Sequence, residues 1–413
     1  MRPKALAAVC AALLVAAAVP AVGAGGTIEI RSKHYRIETD VGRRFARVAR
    51  QHMENMLSAY RRTMPQFGQS LDQTFHVKIF RRQSDYNEVA PSMAHGSGGI
   101  FMSHKRMLAA FMENRTPDSV FRTLYHEGFH QYLYQTVGPR APLWVNEGLA
   151  EYFAEGTWNG NGFTLGQVPL KRLHVLRKAI RRNNIVPLNR LVEMDTKEWT
   201  RNIRINKSRA SLQYSEAWSF VHFLLHGAGS GGGRRLMNYL KALSRGTDAD
   251  RAFQEHFGGD MRALQAAWKK YVFRLQPSAK SLCKRNLRLL TSMAREVGSG
   301  PRDLPSVQKL SRQLLRNRSM KWSVKGPHGS SFSSENRDRA ARLFRCPADR
   351  NRQDASYRVG PSVSGSVTYY CTHHRGIILR AYLALQEGRI RVQVEERVVD
   401  TLDRNVRRAL ANR

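Results

Sequence analysis

Apolar and polar residues alternate from Thr27 to Ile30 and again from His34 to Thr39, the period of half-buried strands. After Asp40 the spacing lengthens, and the stretch from Arg43 to Met64 predicts a long amphipathic helix. FHVKIF at 75–80 predicts a third strand. GSGGIFMS (96–103) and RMLAAFM (106–112) predict two more, the first glycine-rich and so suited to a sheet edge, where its backbone groups could pair with an extended peptide. A plain glycine-rich turn between strands would account for GSGGIFMS equally well. DSVFRTLYHEGFHQYLYQTV (118–137) reads as a helix stopped by Gly138-Pro139, and LWVNEGLAEYFAEG (143–156) as a second helix closed at Gly156. From about 168 to 275 the patterns are nearly all helical. Strands first and helices after predict the α+β class: a small mixed or antiparallel sheet with the 118–137 helix, then an all-helical half.

The texture changes after Pro277. Residues 277–340 are basic and Ser-rich with weak helical periodicity, a helical or linker segment. Alternation returns in SGSVTYYCTHH, GIILRAYLALQEG and RIRVQVEERV, so 341–413 is expected to be a small β-rich module with a hairpin turn at Glu387-Gly388. The main domain is therefore expected over 25–276.

The first 24 residues pair a basic start (Arg2, Lys4) with an apolar run from Ala5 to Val19 and a small-residue site ending at Ala24. This predicts a cleaved signal peptide and a periplasmic or secreted protein. The run is short for the roughly 20 residues of a spanning helix, and no transmembrane span is expected after cleavage. Of the four cysteines, Cys10 would leave with the signal. Cys346 and Cys371 flank a loop-rich stretch and are the expected pair, with Cys283 left over. With 68 basic against 32 acidic residues the net charge is +36, and residues 277–413 hold 28 basic and 11 acidic. Such a surface adheres to polyanions. For an exported protein these would be anionic envelope components met through the basic tail, with no nucleic acid expected; the bland alternative is compositional drift toward Arg.

Chemistry concentrates in LYHEGFHQYL, 124–133. Helical positions four apart share a face, so His126 and His130 can present imidazoles to one ion while Glu127 faces the adjoining sector, where water would lie. Two ligands do not complete a hydrolytic zinc site, which takes three and keeps a position open. Glu147, Glu151 and Glu155 follow, spaced by four on a helix rich in Trp144, Val145, Leu149, Tyr152 and Phe153. A surface charge stripe is the ordinary explanation of such spacing. Buried carboxylates, however, need a cation.

HEGFHQYL followed by PLWVNEGLAEYF resembles the gluzincin zinc metallopeptidases, in particular the peptidase-MA-like proteins with HExxHQ and then NEGxAE. The resemblance covers about 34–275. It implies Zn2+ held by His126, His130 and Glu147, Glu127 as general base, Glu151 as hydrogen-bond acceptor for a zinc histidine, and hydrolysis of a peptide or protein substrate. It further implies an oxyanion donor from the helical half. Tyr214 is the candidate there, beside the plainer reading of a core tyrosine; His222 and His226 are weaker candidates. AAFMEN (109–114) is similar to the GxMEN element of aminopeptidases but lacks its glycine, and Glu113 stands close before His126. The rival of another class is a cationic envelope-binding protein whose metal is structural or vestigial. An intact Glu127 weighs against it, since a structural metal has no use for a base.

Overall fold

A computed structural model describes residues 26–398, apart from 68–72, 92–93, 161, 230, 298–306, 320, 326–330, 345–357, 362–366, 374–376 and 387–388. The expected signal peptide and the Glu387-Gly388 turn lie outside the described residues. The fold is α+β. A five-stranded mixed sheet contains β1 (Ile28–Arg31), β2 (Tyr35–Thr39) and β3 (Phe75–Phe80). It is completed by β4 (Gly99–Met102) and β5 (Met107–Phe111), in the order β1-β2-β3-β5-β4. The inner pairs β2/β3 and β3/β5 are parallel, and β4 lies antiparallel to β5 at the edge. Burial follows the pattern that predicted the strands: Tyr35, Ile37 and Thr39 are covered while Arg36 and Glu38 are half-buried. All five residues of β5 are buried, as two covered faces require.

Helix α1 (Arg43–Thr63) lays Ala49, Met53, Met56, Leu57 and Tyr60 on the sheet. A short α2 (Gln83–Val89) follows β3. Helix α3 (Pro117–Thr136) starts with Thr116 accepting from the Ser119 amide and Pro117 in its first turn. It stops at Gly138, whose φ of 87° a side chain would resist and whose amide returns to Leu133 O at 3.2 Å. That reversal lets α4 (Leu143–Ala154) pack back along α3. Two close approaches explain two glycines. A Cβ on Gly128 would meet Met53 Cε at 2.9 Å, where α3 crosses α1, and one on Gly148 would meet Ala217 O at 2.6 Å.

After a two-residue-per-strand ribbon, β6 (Thr157–Trp158) with β7 (Phe163–Thr164), the chain becomes helical. It runs through α5 (Leu170–Arg181), α6 (Leu188–Glu193) and α7 (Thr196–Ile205) to α8 (Lys207–His226). Then come α9 (Gly232–Ser244), α10 (Ala249–Phe257) and α11 (Met261–Arg274). Helix α8, capped by Asn206 and buried on most sides, is the post against which α4, α5 and α9 pack. One apolar cluster runs from Tyr35 through α1, α3, α4 and α8 to Val272, so sheet and helices share a core.

Beyond it, α12 (Ala279–Val297) is followed by α13 (Val307–Ser311), the pair β8 (Ser323–Lys325) and β9 (Ser331–Ser333), and α14 (Arg337–Ala341). The last sheet is β10 (Arg358–Pro361), β11 (Val367–His373), β12 (Ile377–Gln386) and β13 (Arg389–Val398), antiparallel throughout. A second apolar cluster joins Leu287, Leu290 and Met293 of α12 with Leu314, Val324 and Ala381, so helix and sheet residues share it. Cys283 corrects one expectation. It is fully buried on α12 and disulfide-bonded, not the leftover thiol. Its helix, α12, packs against β11 to β13, far from it along the chain. No described helix is long and apolar enough to cross a membrane.

Candidate metal centre

The centre is built where α3 and α4 run side by side under the edge strand β4. Gln131, directly after the second histidine, is buried, and its amide donates to His76 O at 3.1 Å and Arg106 O at 3.2 Å. It pins α3 to the ends of β3 and β5 and so fixes the rotation of the helix. The same rotation turns His126 and His130 toward α4.

Three donor atoms converge there. His126 Nε2 and His130 Nε2 lie 3.1 Å apart, and Glu147 Oε2 is 3.3 Å from the first and 3.6 Å from the second. Tetrahedral zinc with bonds of 2.0–2.1 Å separates its donors by about 3.3 Å. Among the described residues this is the one group of three or more metal-ligating side chains so disposed. The donor set passes a stricter test of fit. Glu147 Oε2 is shielded from solvent yet makes no hydrogen bond, which is costly for a carboxylate oxygen unless a cation neutralises it.

Electrostatics agree with the geometry. Burial by itself would raise the Glu147 carboxyl, but the charges of His130 and His126 hold it well below the usual carboxylate range. Burial likewise opposes charge on His130, and Glu147, then Glu127, overcome it and push the imidazole up to about 9. The carboxylate of Glu147 is thus stabilised by positive charge, which a divalent ion would supply more fully, and such an ion would take the place of the proton on His130.

The surroundings orient these groups. Asn146 Oδ1 lies 2.7 Å from His130 Nδ1, which leaves Nε2 as the nitrogen facing the donor cluster. Thus Asn146 orients a ring, Glu147 supplies an oxygen, and Gly148 admits α8. Glu151 lies on the far side of His126, with Oε1 4.0 Å from its Nδ1, beyond hydrogen-bond reach. The bond expected from the resemblance is thus not formed at this separation, because Arg172 and Arg122 both grip Glu151 Oε2. Burial opposes ionisation of Glu151, but Arg172 first, then His126 and Arg122, hold its carboxyl down to about 2.

Glu127 stands outside the donor set. Its Oε2 accepts from the Phe101 amide of β4 at 2.9 Å, so the carboxylate spans the space between strand and helix. A cavity of about 270 Å³ opens here, lined by Gly98, Gly99, His126, Glu127, Glu151 and Tyr214. Tyr214 therefore reaches the cleft from α8. Burial and then the Glu147 charge push its hydroxyl well above its usual range, so it remains an O–H donor. Its ring meets Trp199 edge-on at 5.5 Å.

Other candidates do not join them. His222 lies 2.7 Å from Tyr271 Oη, His226 3.0 Å from Tyr152 Oη, and neither lines the cavity. Glu113 accepts from the Gln83 amide at the head of α2 at 2.9 Å, a local capping role that explains the carboxylate of AAFMEN. Sequence reasoning missed Asn146, Gln131, Arg122 and Arg172. The first two sit inside the quoted motifs, where their polarity amid apolar neighbours was the available signal. Arg172 sits on α5, with nothing local to mark it.

Comparison with known families agrees in outline. Residues 26–158 match the model of a family described as "Peptidase of plants and bacteria". Residues 120–246 match that of a family described as "Protein of unknown function (DUF1570)". No curated protein matches the chain, and no solved structure does. Both matched regions contain His126, Glu127, His130 and Glu147, so the residues of the centre lie where the chain is similar to a peptidase family.

Proposed function

We propose that this chain is a zinc-dependent, gluzincin-like metallopeptidase, exported to the periplasm or beyond, that hydrolyses peptide bonds with Glu127 as general base. The observation that carries the reading is the buried Glu147 oxygen without a hydrogen bond, 3.3 and 3.6 Å from two imidazole nitrogens. His126, His130 and Glu147 would hold the metal, and His126 lines the cavity beside Glu127. When bound, zinc lowers the pKa of a coordinated water toward about 7 and polarises a carbonyl.

The chain's own residues supply the rest. Glu127 faces the same cavity as His126 and takes the proton of the attacking water, then gives it to the leaving amine. Its place outside the donor set favours catalysis over a purely structural metal. Tyr214, kept protonated by its surroundings, donates its O–H to the oxygen that gains charge. The edge strand β4 borders the cavity through Gly99 and offers backbone groups to an extended substrate. Export rests on the N-terminal pattern, and the disulfide at Cys283 supports it, since such bonds persist in oxidising compartments.

The test is metal analysis of purified protein alongside cleavage of a peptide library, with and without chelator, by wild type and Glu127→Gln. The reading expects one zinc per chain in both proteins, chelator-sensitive cleavage by the wild type and none by the variant. Equal inertness of both zinc-loaded proteins across the library would overturn it.

A further inference from the structure

A second cavity, of about 360 Å³, adjoins the metal cleft between α3, the start of α5 and α12. Six cations line it: Arg122, Lys171, Lys280, Lys284, Arg285 and Arg288. Among the described residues it holds two acidic groups, and both are engaged: Asp118 pairs with Lys284 at 3.1 Å, and Glu155 with Arg122 at 2.5 Å. Among the described residues of its walls, cations outnumber carboxylates six to two. Lys171 and Arg288 have no carboxylate within ion-pair distance among the described residues, and both are exposed. A concave wall of one sign focuses its field into the space it encloses and concentrates the opposite charge there.

Position decides which anion. Arg122 and Ala154 line both this cavity and the cleft of His126, Glu127 and Tyr214, so the two spaces share a wall. A peptide in the metal cleft therefore meets Arg122, which also belongs to the basic cavity, whereas the flat face of a bilayer cannot enter a recess between helices. We propose that this cavity is a subsite for acidic side chains of the peptide substrate, giving the centre a preference for Asp- and Glu-rich segments. The inference rests on the peptidase reading for the nature of the occupant. It extends that reading from a reaction to a substrate class.

The site also links recognition to the metal ligands. Arg122 bonds Glu151 and Glu155 together, and Glu151 is the carboxylate beside His126. An acidic group arriving at Arg122 competes for the guanidinium that helps to hold Glu151 in place.

Binding can be measured without turnover by using zinc-loaded Glu127→Gln protein and two fluorescein-labelled decapeptides, one with four glutamates and one with glutamine in their place. Fluorescence anisotropy at low salt should give at least tenfold tighter binding of the Glu peptide. The advantage should shrink as salt rises toward 0.5 M. Adding Lys171→Gln and Arg288→Gln should weaken the Glu peptide fivefold or more and leave the Gln peptide within twofold. Unchanged thermal midpoint and zinc content would establish that the substituted protein is folded. Equal affinity for the two peptides overturns the proposal, as does parallel loss of both. So does a result in which the same two substitutions abolish binding to vesicles rich in anionic lipid without changing the peptide ratio. Failure of the peptidase reading looks different: wild-type protein would discriminate between the peptides yet cleave neither with zinc.

Discussion

At the scale of single residues, the NEG triplet divides its labour in a way that substitutions can separate. Asn146 Oδ1, 2.7 Å from His130 Nδ1, holds the ring whose other nitrogen faces Glu147. Asn146→Ala should weaken zinc binding by about 10–100-fold, read by competition with a calibrated chelator, while the thermal midpoint of the metal-free protein moves little. On the proposed mechanism Tyr214→Phe removes the hydroxyl that donates to the developing oxyanion. It should lower kcat by about 10²–10³ with KM nearly unchanged. A loss confined to KM would assign Tyr214 to substrate binding instead. His126 and His130 were legible in the sequence because helical spacing alone puts them on one face; buried carboxylates demand a partner, but the choice of Glu147 among Glu147, Glu151 and Glu155 came from the family resemblance. Arg172 was not legible. Its role depends on where α5 comes to rest against α4, a tertiary fact with no local pattern.

At the scale of elements, the strands and the two central helices could be read from period and punctuation, since each has one well-defined buried face and a clear stop such as Gly138. Helices α2, α6 and α7 were harder. They are short and lie in stretches of mixed polarity, and packing rather than propensity decides them. The crossing of α4 and α8 makes a sharp prediction. With Ala217 O 2.6 Å from where a Cβ would stand, Gly148→Ala should cost about 1–3 kcal/mol in a denaturant titration and should also disturb Glu147 next to it. Helix α8 carries a second, Glu216, fully buried, with one oxygen accepting from the Val186 amide and the other without a partner. Burial pushes its carboxyl up to about 8 from an ordinary 4.5. The folded protein therefore binds this proton more tightly than the unfolded chain does. The stability this contributes is complete below pH 4.5 and is lost as pH rises through 8. Stability should thus decline by a few kcal/mol, as an order of magnitude, between pH 4.5 and 8, and Glu216→Gln should flatten that slope.

At the scale of the whole molecule, the sheet and helical bundle form one core while α12 and the last sheet build another, tied to the first by polar contacts such as Ser281 Oγ to the Leu170 amide at 2.8 Å. Composition had already set the last part of the chain aside, yet it could not say that α12 packs on strands nearly a hundred residues later. Nor could it place Cys283 in a disulfide. Reduction of that bond should destabilise the second core by about 2–5 kcal/mol and leave the first nearly untouched, a difference that hydrogen exchange can resolve by region.

The most direct test of the account is a calorimetric zinc titration of metal-stripped wild-type and Glu147→Ala protein. The account predicts one tight site per wild-type chain and affinity at least a hundredfold weaker in the variant, because the third donor is gone. Equal zinc affinity in the two proteins would contradict it, since the carboxylate of α4 would then have no part in the centre.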